Sequence, residues 1–385
     1  MTVRTLSQNQ KWSIGFGIAT VVVFLMNHFL FIGNVLPANI KMSMLGWLNP
    51  MTINEALVYA MMALGLNIVV GFAGLLDLGF VAFWAIGGYV GGWLMSSFFA
   101  KDGINISILG NPGIGSQGGI HISFWLTLMI AGAFTAIWGV IIGAPTLRLK
   151  SDYLALVTLG FGEIIPEVFR NGDDIAGINI TNGNLGIAPV DKIQIGPVEL
   201  GPFDTDIKFL IYAGLTALVL LLSLRLRDGR LGRAWLAIRE DELAASMMGV
   251  PLMRTKLAAY AVGATAGGVG GVAFATHIGA VLPDRFQFAI SIILLAMVVL
   301  GGMGNVWGVI LGAVLLSFVP EMLRYTVQPV QQYFFGRMLI DPEVIRMLIF
   351  GLALVLVMTL RPGGLWPSAV RRRELAARNE AGEAA

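Results

Sequence analysis

Long apolar stretches alternate with short polar ones along most of the chain. Ten apolar stretches stand out, at about 12–33, 51–70, 75–98, 122–144, 153–169, 207–224, 254–280, 286–301, 303–322 and 343–360. Most reach the roughly 18 residues that mark a membrane-spanning helix. None has the alternation of a barrel strand, and backbone groups in lipid must pair within their own segment, so helices are predicted. The two shortest, 153–169 and 286–301, fit either full spans or half-helices.

The composition indicates that most of this chain lies in a lipid bilayer. Of its 385 residues, 56% are apolar and 12% are charged, whereas soluble domains have about 45–50% and about 25%. We therefore expect an all-α integral membrane protein with about ten transmembrane or half-membrane helices, in one domain at 1–360 with a polar tail at 361–385. The first run, Trp12 to Gly33, is long for a signal peptide and lacks a small-residue cleavage site, so it is predicted to stay as a span. The chain has no cysteine, which excludes disulfides and thiolate metal sites.

The basic residues indicate an orientation. Most of the 25 Lys and Arg fall at the N terminus, in 145–152, in 225–256 and in the C-terminal tail. Cytoplasmic loops carry the excess of basic residues in membrane proteins. Ten spans with this bias predict both termini in the cytoplasm. The loop 170–206 lies on the opposite, periplasmic face and is acidic; at this length it is either a receiving surface for a partner or a solvated cap.

The segment 225–253 is basic and amphipathic although apolar stretches flank it. Apolar residues recur there at helical spacing in two groups: Leu231, Ala234, Trp235 and Ile238, then Leu243, Ala244, Met247 and Met248. Asp241 is placed to cap a second short helix, and Gly249 with Pro251 predicts its end. Two such helices suit a groove on a partner protein. They equally suit the surface of an anionic bilayer, and the pattern alone leaves both open.

Few residues are candidates for catalysis, nucleotide binding or metal binding. None of the seven lysines follows a glycine, so the chain lacks the Gly-Lys pair of a phosphate-binding loop. If ATP drives this protein, ATP and its Mg²⁺ bind to another subunit. His28, His121 and His277 stand apart, without metal-ligand spacing. We predict no catalytic residue, no metal site and no nucleic-acid partner.

Polar residues within the predicted spans are candidates for a translocation pathway, because ionisable groups in a membrane are expensive to bury. Asp77 lies near the start of one span, between Gly74 and Gly79, and Glu163 precedes Pro166 in another. Asn67 and Thr158 are further candidates. Each also fits an interfacial position or a structural hydrogen bond, and for Asp77 that second interpretation is favoured.

Five blocks of sequence resemble the LivM-type permeases of branched-chain amino acid ABC importers. They are GLNIVVGFAGLLDLGFVAFWAIGGY at 65–89, DYLALVTLGFGEII at 152–165, TNG and LGI at 181–187, GRAWLAIREDELAA at 232–245, and LAMVVLGGMG at 295–304. The blocks follow the family order and are specific only together. One departure concerns Pro166, which stands where the family commonly has an arginine. Any role given to a charge at that position is therefore in doubt here.

The resemblance implies a permease subunit of the bacterial inner membrane that passes branched-chain or other small amino acids inward. Its partners would be membrane lipid, a second permease, two ABC ATPase subunits and a periplasmic solute-binding protein. Its fold would be that of vitamin B12 and iron-siderophore importers. The coupling element would comprise Arg233, Trp235, Ile238, Arg239, Glu240, Asp241, Glu242 and Met248. The alternatives are a urea or short-amide ABC permease, and an ion-coupled secondary transporter, which would need paired buried charges and an inverted repeat.

Overall fold

A computed structural model describes residues 8–26, 28, 49–109, 118–149, 151–196, 198–201, 204–337, 342–360 and 363–367. The α-helices in these ranges are α1 Gln8–Met26, α2 Pro50–Leu66, α3 Val81–Leu94, α4 Phe124–Thr146, α5 Ser151–Arg170, α6 Thr205–Asp228, α7 Arg230–Glu240, α8 Glu242–Met247, α9 Leu252–Ile278, α10 Phe288–Gly301, α11 Val306–Phe335 and α12 Pro342–Leu360. A π-helix, Asn67–Phe72, continues α2. Most of the predicted tail at 361–385 lies outside the described residues.

Five of the predicted spans are confirmed as helices long and apolar enough to cross a membrane. They are Pro50–Phe72, Phe124–Thr146, Thr205–Asp228, Leu252–Ile278 and Val306–Phe334. Val81–Leu94, Phe288–Gly301 and Leu348–Val357 are apolar but shorter. The total of ten spans stays a prediction, and so does the crossing of α5.

The centre of the bundle is α9, a glycine-rich helix that packs against α2, α3 and α4. At its crossing with α3, a Cβ added to Gly87 would lie 2.4 Å from the Cα of Gly268. A Cβ added to Gly271 would lie 2.4 Å from the carbonyl oxygen of Trp84. Small residues allow helices in lipid to approach until their backbones touch, and packing then holds them together. The glycines of α9 therefore form a seam that admits no side chain.

The predicted span 75–98 is wrong at both ends. Residues 73–80 belong to no helix or strand, and we call them the extended segment because they take the place of predicted helical turns. The helix runs only from Val81 to Leu94, and Met95 begins a strand. Gly74 has φ +70°, which breaks the helix after the π-turn. The N–H groups of Leu78 and Val81 donate to side-chain hydroxyls of α5 and α10 at 3.0 Å instead of to a helix of their own. Tertiary hydrogen bonds thus replace local ones in a segment whose composition favours a helix.

The end of the bundle opposite α7 and α8 carries short strands, so the all-α prediction holds for the bundle alone. The strands are β1 Met95–Ser96, β2 Asn105–Ile108, β3 Gly119–Ile122, β4 Gln194–Ile195 and β5 Val198–Glu199. One sheet has the order β1-β3-β2, with β1 antiparallel and β2 parallel to β3, and β4 pairs antiparallel with β5. We call these strands and the loop 171–204 the cap.

The cap is held against the ends of the helices by β-bridges and a side-chain contact. Val190 bridges to Ser96, and Ile187 bridges to Val281 beyond α9. His121 Nδ1 lies 2.8 Å from Asp191 Oδ2. Burial raises the pKa of Asp191, an effect larger than the lowering by its hydrogen bond with His121.

Candidate coupling and pathway site

The two short helices α7 and α8 form an elbow, defined here as Arg230–Met247. Asp241 joins them in an extended conformation, and its Oδ1 accepts hydrogen bonds from the N–H groups of Leu243 and Ala244 at 2.8 and 2.9 Å. Gly249 follows with φ +84°. The predicted helix cap at Asp241 and the helix end at Gly249 are therefore confirmed.

Trp235 and Ile238 anchor the elbow to its own chain. Trp235 is 0% exposed, and its Nε1 donates to the carbonyl oxygen of Thr255 at the start of α9, at 2.8 Å. Ile238 is also buried. Glu242 forms an ion pair with Lys256, one residue further along α9. Trp235 and Ile238 thus face inward, so any role they have in coupling is to hold the elbow in place rather than to touch a partner.

The outer surface of the elbow is apolar at α8 and charged at α7. Leu243, Met247 and Met248 are 66%, 78% and 85% exposed. The predicted coupling residues Arg233, Glu240 and Asp241 are exposed beside them. Large apolar side chains left open to solvent in this way mark an interaction surface. The apolar spacing found in the sequence therefore serves two purposes: inward anchoring in α7 and outward contact in α8.

Arg239 connects the elbow to the end of α2. Its Nη1 donates to the carbonyl oxygen of Gly71, in the π-helix, at 2.6 Å. Its stem packs on Gly74, where an added Cβ would lie 2.7 Å from Arg239 Cγ. Gly74 leaves room for this contact. The elbow is therefore hydrogen-bonded to the π-helix and packed against the start of the extended segment.

The other side of the π-helix contacts the turn between α10 and α11. Asn67 is fully buried, and its Oδ1 accepts a hydrogen bond from the N–H of Gly304 at 2.9 Å. A Cβ added to Gly71 would lie 2.6 Å from that same nitrogen. Asn67, predicted as a pathway group, thus has a structural partner within the chain.

Asp77 and Thr158 meet where the extended segment crosses α5. Asp77 is buried, and its Oδ1 accepts from the N–H of Gly79 at 2.8 Å. Thr158 Oγ1 accepts from the N–H of Leu78 at 3.0 Å and donates to the carbonyl oxygen of Ala155 at 3.1 Å. Gly79 lies against α5, since an added Cβ would be 2.1 Å from the carbonyl oxygen of Thr158. Asp77 fits the structural interpretation favoured from the sequence.

Glu163 lies apart from the other three candidates, on an exposed face of α5. Tyr153, Leu156 and Ile164 share this face and are 62%, 66% and 55% exposed. Pro166 does not end α5, which continues to Arg170. Because proline has no N–H, the carbonyl of Gly162 loses its usual donor four residues on. The described residues of this chain therefore leave a partly polar helix face uncovered.

Two of the three histidines have polar partners, whereas His277 packs edge-on against Tyr212 and its buried Nδ1 has no hydrogen-bond partner among the described residues. His28 Nδ1 lies 3.0 Å from Asp206 Oδ2, and His121 pairs with Asp191. Over the described ranges, no group of three His, Cys, Asp or Glu residues is placed to hold a metal ion.

A bundle of apolar helices with an anchored amphipathic elbow at one end and a folded cap at the other is the architecture of a multi-pass membrane protein. A family model described as "Branched-chain amino acid transport system / permease component" matches residues 51–358, and the chain belongs to this family. This confirms the resemblance read from the five sequence blocks.

Relatives of two kinds match the chain. The high-affinity branched-chain amino acid permease LivM of Escherichia coli is 37% identical over 81% of this chain and 68% of its own length. A probable LivM of Methanocaldococcus jannaschii is 27% identical over 80% of the chain and 90% of its length. LivH of Salmonella typhimurium, a permease of the other kind, is 23% identical over 67% of the chain and 79% of its length. No solved structure matches the chain.

Sequence reasoning missed the extended segment 73–80 and the contact of Val81, directly after it, with Ser291. The glycines at 71, 74 and 79 were the available signal, because glycine at such intervals often marks a close backbone approach. It also missed that Lys256 and Thr255 hold the elbow, since their partners are separated from them by 14 and 20 residues.

Proposed function

We propose that this chain is the permease subunit of an ATP-driven importer that moves branched-chain or other small amino acids into the cytoplasm. A second permease, two ATPase subunits that bind ATP and Mg²⁺, and a periplasmic solute-binding protein complete the importer. The elbow and both termini lie in the cytoplasm, the cap lies in the periplasm, and about ten helices adopt the fold of vitamin B12 and siderophore importers. The observation that carries the proposal is an elbow fixed to the bundle on one side and open to a partner on the other.

Movement of the ATPase subunits reaches this chain through α8. Leu243, Met247 and Met248 form the apolar contact that an ATPase groove receives, in the manner of a helix laid into a hydrophobic groove. Arg233, Glu240 and Asp241 surround that contact with charge, which favours one register of docking. Trp235, Ile238 and the Glu242–Lys256 pair make the elbow follow the ATPase as a rigid piece.

The extended segment 73–80 passes this movement to α5. Arg239 holds the start of the segment through Gly71 and Gly74. Leu78 and Gly79, near its end, contact Thr158. Because contacts with other helices hold the segment at both ends, we expect a displacement of one end to reach the other. Transport further requires that the solute bind one arrangement better than the other.

The face of α5 that carries Glu163 lines the pathway, opposite the second permease. Support comes from its exposure in this chain and from its mix of Glu163 with aromatic and aliphatic side chains. The match to LivH, a second kind of permease, supplies the class of the covering subunit. The carbonyl of Gly162 freed by Pro166 adds a polar group beside Glu163. Neither a urea or short-amide permease nor an ion-coupled transporter has an observation in its favour.

The experiment removes the apolar contact of α8 and spares the buried anchors. Leu243→Asp with Met247→Asp should abolish co-purification of the ATPase while the chain still inserts into the membrane. Leu109→Asp, which changes an 81% exposed leucine directly after β2, is the matched control and should leave ATPase association unchanged. Full solute-stimulated ATP hydrolysis in the double variant would refute the proposal.

A further inference from the structure

A cavity of about 520 Å³ opens at the cap end of the bundle, between α2, α10, α11 and α12. This volume lies within the about 300–1,000 Å³ typical of small-molecule sites. None of the four pathway candidates at 67, 77, 158 and 163 lines it. The cavity is therefore a feature separate from the pathway face of α5.

The cavity is charged at its mouth and apolar at its floor. Asp284, Arg285 and Arg324 line the cavity with exposed side chains and form its mouth. Met297, Leu316, Phe350 and other buried apolar side chains form the floor. Eight residues of α11 separate Arg324 from Leu316, which corresponds to about 12 Å along the helix. A ligand with a charged head and an apolar tail matches this gradient.

Glu321 and Arg324 stand between the mouth and the floor. Glu321 is 9% exposed although it lies within a helix long enough to span the membrane, whereas the side chain of Arg324 is 62% exposed. Their closest nitrogen and oxygen atoms are 3.5 Å apart. A charge-assisted hydrogen bond is shorter, about 2.7–2.9 Å, so this pair leaves both groups with bonding capacity. A buried carboxylate needs a cationic partner to offset its lost hydration.

A second buried polar group lies at the floor. Trp84 lines the cavity and is fully buried, and its indole Nε1 has no hydrogen-bond partner among the described residues. Buried Trp N–H groups usually have a partner. The floor thus offers a donor that a polar occupant can use, alongside its apolar walls.

We propose that this cavity binds a free aliphatic α-amino acid as a zwitterion. The ammonium group is held by Glu321, the carboxylate by Arg324, and the side chain by the apolar floor around Leu316. Such a site, on one permease chain and at its periplasmic end, would receive solute before it reaches the pathway. The proposal rests on the proposed function for the choice of an amino acid as the solute.

The test measures direct binding of radiolabelled leucine to the full-length chain, purified with its partner subunits in phosphatidylcholine nanodiscs. Nucleotide and solute-binding protein are left out. Saturable binding is expected, and Glu321→Gln and the more exposed Arg324→Gln should each weaken it at least tenfold. Leu316→Trp should fill the floor and weaken leucine binding at least tenfold, with a smaller effect on alanine.

Leu315→Trp is the matched control. Leu315 precedes Leu316 on α11 but is 49% exposed, whereas Leu316 is buried, so leucine binding should change less than twofold. This control separates an effect of filling the cavity from a general disturbance of α11.

Three results would overturn the proposal: no saturable leucine binding to the unchanged chain, unchanged affinity in both Glu321→Gln and Leu316→Trp, or complete displacement of leucine by phosphatidylethanolamine in the nanodisc. The last would identify a lipid headgroup, which shares the primary ammonium and the anion. ATP-driven leucine uptake by the same preparation tests the proposed function separately. Uptake without binding would remove only the cavity site, and binding without uptake would remove only the importer.

Discussion

The contact between the extended segment and α5 is tested most sharply at Thr158. Thr158→Val keeps the shape of the side chain and removes the hydroxyl that accepts the N–H of Leu78 at 3.0 Å. An unsatisfied buried donor costs about 1–3 kcal/mol. If that hydrogen bond carries the coupling between elbow and pathway, an energy of this size corresponds to a roughly 5–150-fold change in coupling. We therefore expect at least a fivefold loss in solute moved per ATP hydrolysed.

The assay is the ratio of leucine uptake to ATP hydrolysis in proteoliposomes that contain the complete importer. A loss of folded protein lowers both quantities together and leaves the ratio unchanged, so the ratio reports coupling rather than stability. Thr158→Ser retains the hydroxyl and should keep the ratio within about twofold of the unchanged chain. An unaltered ratio in Thr158→Val, with the hydroxyl absent, would refute transmission through the extended segment.

Three further predictions follow from contacts of the elbow, the extended segment and the cap. Arg239→Ala should lower the ratio of uptake to hydrolysis, because it removes the hydrogen bond to the carbonyl oxygen of Gly71. Arg239→Lys keeps one donor and should restore part of that ratio. Equal ratios in the two variants would count against a role for this hydrogen bond. Gly79→Ala should lower the melting temperature, because its Cβ would lie 2.1 Å from a carbonyl oxygen of α5, and an unchanged melting temperature would contradict the close approach. Burial raises the folded-state pKa of Asp191 above its ordinary value, so its contribution to cap stability is largest below that ordinary pKa and falls as pH rises through the raised pKa. Asp191→Asn should remove this slope from melting curves recorded against pH, and an identical slope in the variant would exclude Asp191 as its source.

The apolar runs predicted the long helices well because lipid leaves the backbone one solution in a segment of that length. Phe124–Thr146 and Thr205–Asp228 begin and end within a few residues of the predicted spans. Residues 73–80 could not be predicted in the same way. Apart from two glycines they are mostly apolar, like the spans. A threonine 80 residues from Leu78 holds the end of the segment, and a serine 210 residues from Val81 holds the start of α3.

The elbow shows a second limit of pattern reasoning. Periodicity correctly indicated two amphipathic helices, and Asp241 and Gly249 marked their boundary and end. It did not indicate what covers each apolar face. Trp235 is covered by the chain's own α9, whereas Met247 is left open, and both have the same helical spacing in the sequence. Distinguishing the covered face from the open one requires the position of α9, which depends on the tertiary structure.

The glycine seam between α3 and α9 limits how the molecule can change shape. With Gly87 and Gly268 in backbone contact, the crossing leaves no room for a side chain on either helix. We therefore expect the two helices to move as one unit, so that rearrangement falls to the helices on either side of them. Solute would then be moved by the surrounding helices as they tilt relative to this fixed pair.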